Sequence, residues 1–239
     1  MSNKTNILST VLLDQPLINK ANEAGVTLDA MSFIQVVDIT DENDLQEQLE
    51  ELYRKKITAV FTSVNAVRAV FEQAFYKKPN WKVYCIGHAT RNAILEYFDV
   101  TALCGIANDA AALAAIIKQN GEEDVFFFCG DKRMDTLCAS LEKTGVGVHE
   151  VIVYQTVEVP KFVEKDYDGI LFFSPSGVNS FFSMNTIDAD TVLFAIGGTT
   201  AKAIKEMTDN KVVESELPSK EQLVERSIQY FQKRAIAGQ

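Results

Sequence analysis

Two stretches of this chain, "CIGHATRNAI" from Cys85 and "AIGGTTAKAI" from Ala195, spell the same unit: a strand end, a glycine turn and a threonine-opened helix. A strand that hands over to a helix through a tight turn belongs to α/β proteins, where parallel strands need a crossover before they can pair. The repeat is wider than this pair. "FTSVNAVRAVF" from Phe61 and "FFSPSGVNSFF" from Phe172 match in form, and Ser63 precedes Gly87 by 24 residues while Ser174 precedes Gly197 by 23. Two matches in register mark a duplicated unit.

Short apolar runs alternate with segments of helical period, predicting strands near 6–12, 28–37, 57–61, 82–86, 100–104, 124–129, 147–158, 169–173, 191–196 and 212–214. Asn108 is the expected cap of the helix that runs to Gly121, Ser219 and Gln222 form a capping box, and Gly25 and Gly145 stop two other helices. Three predicted strands follow Asp168, against five between Ile57 and Tyr154. The missing two lie at the N-terminus, where "GVTLDAMSFIQV" from Gly25 parallels "GVGVHEVIVYQT" from Gly145 at a constant offset of 120. One copy is therefore circularly permuted. The expected architecture is two parallel-sheet lobes of flavodoxin or Rossmann-like type: an outer, discontinuous one from 1–37 and 156–239, and an inner one from 38–155. Each lobe should carry a five-stranded sheet, with a two-stranded linker, a hinge and a cleft between them.

Composition narrows the function. A net charge of −10 argues against nucleic acid as a partner. No apolar run approaches the ~20 residues that cross a bilayer, and the N-terminus has no signal-type cleavage pattern, so the expectation is a cytoplasmic protein. Cys85, Cys104, Cys129 and Cys138 lack CxxC spacing and read as buried reduced thiols. With only two histidines, no metal cluster of ordinary spacing can be assembled, and no metal site or cofactor is expected.

Helix N-termini beyond the carboxyl ends of parallel strands carry unpaired N–H groups and roughly half a positive charge, which suits anions. Five turns have that form: Thr62-Ser63, Gly87-His88-Ala89-Thr90, Gly130-Asp131-Lys132-Arg133, Ser174-Pro175-Ser176-Gly177 and Gly197-Gly198-Thr199-Thr200. The same residues also serve as plain helix caps, with Pro175 at a favoured first position. Neither glycine turn is GxGxxG and no GxxxxGKS occurs, which disfavours dinucleotides and a P-loop. "SPSG" is not a GxSxG elbow, and no motif places a histidine beside Ser174 or Ser176. Tyr154 sits on a crossing strand, from which a phenol can reach the cleft and donate a proton; Ile34 holds that place in the other copy.

"FTSVNAV", "VYCIGHATRNAI", "FFFCGDKR", "VIVYQT", "ILFFSPSGVNSF" and "FAIGGTTAKAI", in this order, resemble the uroporphyrinogen-III synthase family over nearly the whole chain. The resemblance implies two α/β lobes on a two-stranded linker. It implies an enzyme that closes hydroxymethylbilane, a linear tetrapyrrole with eight carboxylates, to uroporphyrinogen III with loss of water and inversion of ring D. No cofactor is needed, because the pyrroles supply their own electron density. Carried over by position, Tyr154 assists the leaving hydroxyl. Thr62, Ser63, Gly87, His88, Ala89, Thr90, Gly130, Lys132, Arg133, Ser174, Ser176, Gly177, Gly198, Thr199 and Thr200 bind substrate. The implied state is a monomer in transient contact with the preceding pathway enzyme. Two departures from the family pattern stand out: "STVLLDQPL" has no arginine after the first strand, and Val64-Asn65 replaces Pro-Arg after the first TS. The rival readings are a two-lobed small-anion sensor without chemistry and a nucleotide-using enzyme.

Overall fold

A computed structural model of the chain describes residues 5–39, 43–72, 78–133 and 135–237. The first segment runs β1 (Thr5–Ser9), α1 (Gln15–Glu23), β2 (Val26–Ala30) and β3 (Ile34–Asp38). The middle of the chain holds α2 (Asn43–Arg54), β4 (Thr58–Phe61), α3 (Val64–Glu72), β5 (Lys82–Ile86), α4 (His88–Tyr97), β6 (Leu103–Ala107) and α5 (Ala110–Gln119). It continues through β7 (Asp124–Gly130), α6 (Thr136–Thr144) and β8 (Gly147–Glu158). The last part holds β9 (Gly169–Phe172), α7 (Pro175–Phe182), β10 (Val192–Ala195), α8 (Gly198–Met207), β11 (Val212–Glu214) and α9 (Lys220–Ala237).

The chain divides into two compact units, 1–35 with 157–239, and 36–156. Among the described residues the first unit holds a parallel five-stranded sheet ordered β11-β10-β9-β1-β2. Numbered along the chain this is 2-1-3-4-5, the flavodoxin-like order. The second unit carries β8-β7-β4-β5-β6, also parallel. Position for position these are the same sheet, with β2 and β1 matching β8 and β7. The two units are thus circular permutations of one another, and it is the continuous unit whose strand order departs from the flavodoxin-like one.

The second sheet has six strands rather than the expected five, because β3 adds to its edge beside β8. The Ile39 N–H donates to Val153 O at 3.4 Å and the Val159 N–H to Phe33 O at 2.9 Å, a pairing that runs antiparallel. The predicted strand at 28–37 is two strands, since the chain bends between them to bury Phe33 edge-on against Phe181, centroids 5.3 Å apart. Ser32 holds the bend by donating to Ile34 O at 2.6 Å. The strand expected at 100–104 starts later, at Leu103, after a single 3₁₀ turn over Val100–Ala102. The cap of α5 is Asp109 and not Asn108, because the Asp109 carboxylate accepts the Ala112 N–H at 2.8 Å.

Helices cover both faces of each sheet, as fully buried strands such as β4 and β10 require. In the second unit α2, α3 and α4 pack through Leu49, Val67 and Ile94 on one face, and α5 and α6 through Leu113 and Leu141 on the other. Phe61 stacks on Phe128 at 5.1 Å, and Phe128 on Trp81 at 5.3 Å, locking the ends of β4 and β7 together. Cys85, Cys129 and Cys138 are buried and unpaired, whereas Cys104 is exposed, contrary to expectation, because β6 begins at the surface. Burial raises the Cys85 and Cys138 thiols to about 11 and Cys129 to about 12, so these thiols stay protonated and act as packing groups.

Candidate functional site

In an open parallel sheet the crevice opens where strand order reverses, beyond the carboxyl ends of the two central strands. In the second unit those strands are β4 and β7. β4 runs out into Thr62 and Ser63, both half-buried, and Ser63 caps α3 by accepting the Ala66 N–H at 3.1 Å. β7 ends at Gly130. Its ladder with β8 shifts there: Cys129 lies opposite Ile152 but Gly130 lies opposite Tyr154, so one residue of β8 is skipped. Such a bulge re-aims the next side chain.

The re-aimed side chain is Tyr154. Its Oη lies 3.2 Å from Ser63 Oγ, a hydrogen bond that either hydroxyl can donate. The ring lies over Gly130 so closely that a Cβ there would fall 2.5 Å from Tyr154 Cζ and 2.9 Å from Oη. Only glycine fits. The Asp131 N–H then donates to Tyr154 O at 3.1 Å, and Asp131 Oδ1 accepts the Thr156 N–H at 2.8 Å, so the tyrosine is fastened on both sides. Three elements distant in sequence therefore meet at one phenol. Sequence reasoning named all three residues but not their contact, because nothing local reveals the skipped residue.

No helix starts directly from Gly130 among the described residues; α6 begins at Thr136. Asp131 and Lys132 are exposed. The Arg133 guanidinium bonds Glu150 at 2.7 Å and Asp135 at 2.6 Å, and its hydrogen bond holds the Glu150 carboxyl below the usual carboxylate range. The positive charge at this turn is thus partly engaged by the protein's own carboxylates.

The twin glycine turns differ from the serine turns in one physical respect. Ser63 and Ser174 fill their helix N-termini with their own side chains, Ser174 Oγ accepting the Gly177 N–H at 3.1 Å. Gly87 and Gly197 have no side chain to offer, and neither α4 nor α8 has a side-chain cap. The first intrahelical bonds are Arg91 N–H to Gly87 O and Ala201 N–H to Gly197 O, which leaves the amides of His88, Ala89 and Thr90, and of Gly198, Thr199 and Thr200, ahead of the ladder. Gly87 takes a φ of +84°, a conformation that side chains resist. The exposure pattern repeats: His88 and Ala89 are exposed above a buried Thr90, and Gly198 and Thr199 above a buried Thr200. Thr90 is 4% and Thr200 2% exposed, and neither hydroxyl has a hydrogen-bond partner among the described residues. A hydroxyl that the protein leaves unbonded at a helix start is open to water or to a ligand.

The first unit reverses its strand order between β1 and β9. There Thr10, which sequence reasoning passed over for want of a neighbouring arginine, is 1% exposed and donates to Leu171 O at 2.8 Å. Ser174 is half-buried and Ser176 and Gly177 are buried at the start of α7. A Cβ on Gly177 would lie 3.4 Å from Ser174 Oγ and 3.7 Å from Thr10 Oγ1, which places both hydroxyls beside the start of α7. The signal for Thr10 was available: it directly follows β1, at the place that Gly130 holds in the permuted copy.

Among the described residues no helix is long and apolar enough to cross a membrane, and no group of three or more His, Cys, Asp or Glu is placed to hold a metal ion. Comparison with known proteins gives the arrangement a context. A uroporphyrinogen-III synthase HemD family model matches residues 15–225. The crystal structure of uroporphyrinogen-III synthetase from Helicobacter pylori 26695 is 15% identical at a TM-score of 0.68, over 95% of this chain and 99% of that one. A mutant uroporphyrinogen III synthase from the extremely thermophilic bacterium Thermus thermophilus is 15% identical at a TM-score of 0.60, over 98% of this chain and 100% of that one. Those two likenesses carry the fold, and the family match covers both units: the chain belongs to the uroporphyrinogen-III synthase family.

Proposed function

We propose that this enzyme of tetrapyrrole synthesis is a carbon–oxygen lyase that closes hydroxymethylbilane to uroporphyrinogen III, with loss of water and inversion of ring D. The observation that carries the reading is the pair of uncapped glycine turns, each with three backbone amides ahead of the helix ladder and a buried threonine whose hydroxyl makes no hydrogen bond among the described residues. Charge-assisted hydrogen bonds contribute roughly 1.5–3 kcal/mol each. Two or three at each turn outweigh repulsion from a protein of net charge −10, whose distant charges are screened beyond about 8 Å at physiological salt. Backbone amides therefore let an acidic protein bind an octa-acid.

In this reading the amides of His88, Ala89 and Thr90 hold carboxylates in one unit, and those of Gly198, Thr199 and Thr200 in the other. Thr62, Ser174, Ser176 and Gly177 line the strand-order reversals, and Lys132 and Arg133 bring positive charge to the Gly130 turn. Tyr154 gives its proton to the hydroxyl that leaves the ring A end as water, so that an electrophilic azafulvene forms. The substituted carbon of ring D attacks it, and the resulting spiro-pyrrolenine breaks and recloses to complete the inversion. The enzyme works as a cytoplasmic monomer that receives its substrate from the preceding enzyme; protonated, unpaired thiols suit a reducing compartment. Supplying hydroxymethylbilane and separating the product isomers tests this. Isomer III in excess is the expected result, and isomer I alone, as in an enzyme-free blank, overturns it.

A further inference from the structure

We infer that Ser63 is a positioning residue for Tyr154, coupling the N-terminus of α3 to the phenol as it gives up its proton; this rests on the acid role proposed for Tyr154 above. The Ala66 N–H donates to Ser63 Oγ at 3.1 Å, and Ser63 Oγ lies 3.2 Å from Tyr154 Oη. A tyrosine that gives its proton to substrate cannot also donate it to serine. In the working arrangement Ser63 is therefore the donor to the phenol oxygen. Its oxygen already accepts an amide proton at a helix start, where roughly half a positive charge resides, so its own O–H is polarised toward Tyr154.

The step balances. The C–O bond of the substrate breaks with its electron pair on oxygen, the Tyr154 O–H bond breaks, and the new O–H bond completes the water that leaves. The phenolate that remains accepts the Ser63 O–H and is held by the α3 terminus. It regains a proton when the carbon at which the ring finally closes loses its hydrogen and aromaticity returns. The hydrogen bond from Ser63 strengthens as charge grows on the phenol oxygen, which raises kcat without changing ground-state binding.

A double-mutant cycle isolates the coupling. Ser63→Ala is expected to lower kcat about 10-fold or more at unchanged KM, the scale of one hydrogen bond to a charged group. Ser63→Thr, which keeps the hydroxyl, should restore kcat to within about 3-fold of the parent. Because alanine also removes the cap, Ser63→Gly serves as the second variant: it deletes the hydroxyl with little cost to the helix start, and should show the same loss of kcat. In a Tyr154→Phe background Ser63→Ala should change kcat by less than about 2-fold, since its partner is gone. An equal loss in both backgrounds, or a raised KM with kcat kept, overturns the coupling and makes Ser63 a direct substrate contact. Full turnover in Tyr154→Phe alone removes the acid itself, a failure of the reading beneath this one.

Discussion

Tyr154→Phe is expected to lower kcat by roughly 10²-fold or more, the range that a positioned general acid contributes, with KM little changed. The substitution keeps the ring that lies over Gly130 and removes the hydroxyl bonded to Ser63, so the local packing stays. Loss of one partly buried hydrogen bond costs about 1 kcal/mol of stability, too little to unfold the protein. Steady-state kinetics beside a thermal melt check this. Full turnover would reduce Tyr154 to a packing group and leave the departing hydroxide without a donor.

Gly130→Ala should cost about 10²-fold in kcat, the loss expected for a misplacement of about 1 Å at the reacting group. The added methyl would meet the Tyr154 ring 2.5 Å from Cζ and 2.9 Å from Oη, distances that atoms do not keep, so the ring must swing away. Its route away is limited. The backbone at Tyr154 is held by the Asp131 N–H, and the β4–β7 junction behind it by the Phe61–Phe128 stack. Overpacking of this kind costs typically about 1–3 kcal/mol, so a folded but slow enzyme is expected. Circular dichroism and kcat together measure it. A variant that turns over at the parent rate would show that Tyr154 does not act from its position above Gly130.

Much of the fold was legible because it is written in local patterns. Short, mainly apolar runs such as Thr58–Phe61 and Val192–Ala195 are interior strands, Gly145 stops α6 in a left-handed turn, and the constant offset between Gly25 and Gly145 exposed the permutation. What stayed hidden depends on pairing between distant segments. β3 joins a sheet edge at β8, more than 100 residues further along the chain, and nothing in Ile34–Asp38 specifies that neighbour. The break at Ser32 follows from Phe33 finding Phe181, a contact made across nearly 150 residues of sequence.

The candidate site divides along the same line. Four of the five turns were legible as strand-to-helix junctions, the Gly130 turn being the exception, but not which of them cap themselves. That difference was in principle readable, since serine at Ser63 and Ser174 brings its own acceptor while glycine at Gly87 and Gly197 brings none. The meeting of Ser63, Gly130 and Tyr154 was not readable, because it depends on one residue of β8 skipped opposite Cys129 and Gly130. Arg133 reads in the sequence as an available cation, whereas in the fold Glu150 and Asp135 already stand beside it.

In the function proposed above, the uncapped glycine turns hold the carboxylates. Titrating the ¹⁵N-labelled protein with uroporphyrin III, an octacarboxylate that carries the product's side chains in the same order, and following the backbone amides tests it directly. Saturable downfield shifts are expected at His88, Ala89, Thr90, Gly198, Thr199 and Thr200, with the Ala66 and Gly177 amides, already bonded to Ser63 and Ser174, moving far less. Saturable binding that leaves those six amides unmoved would contradict it.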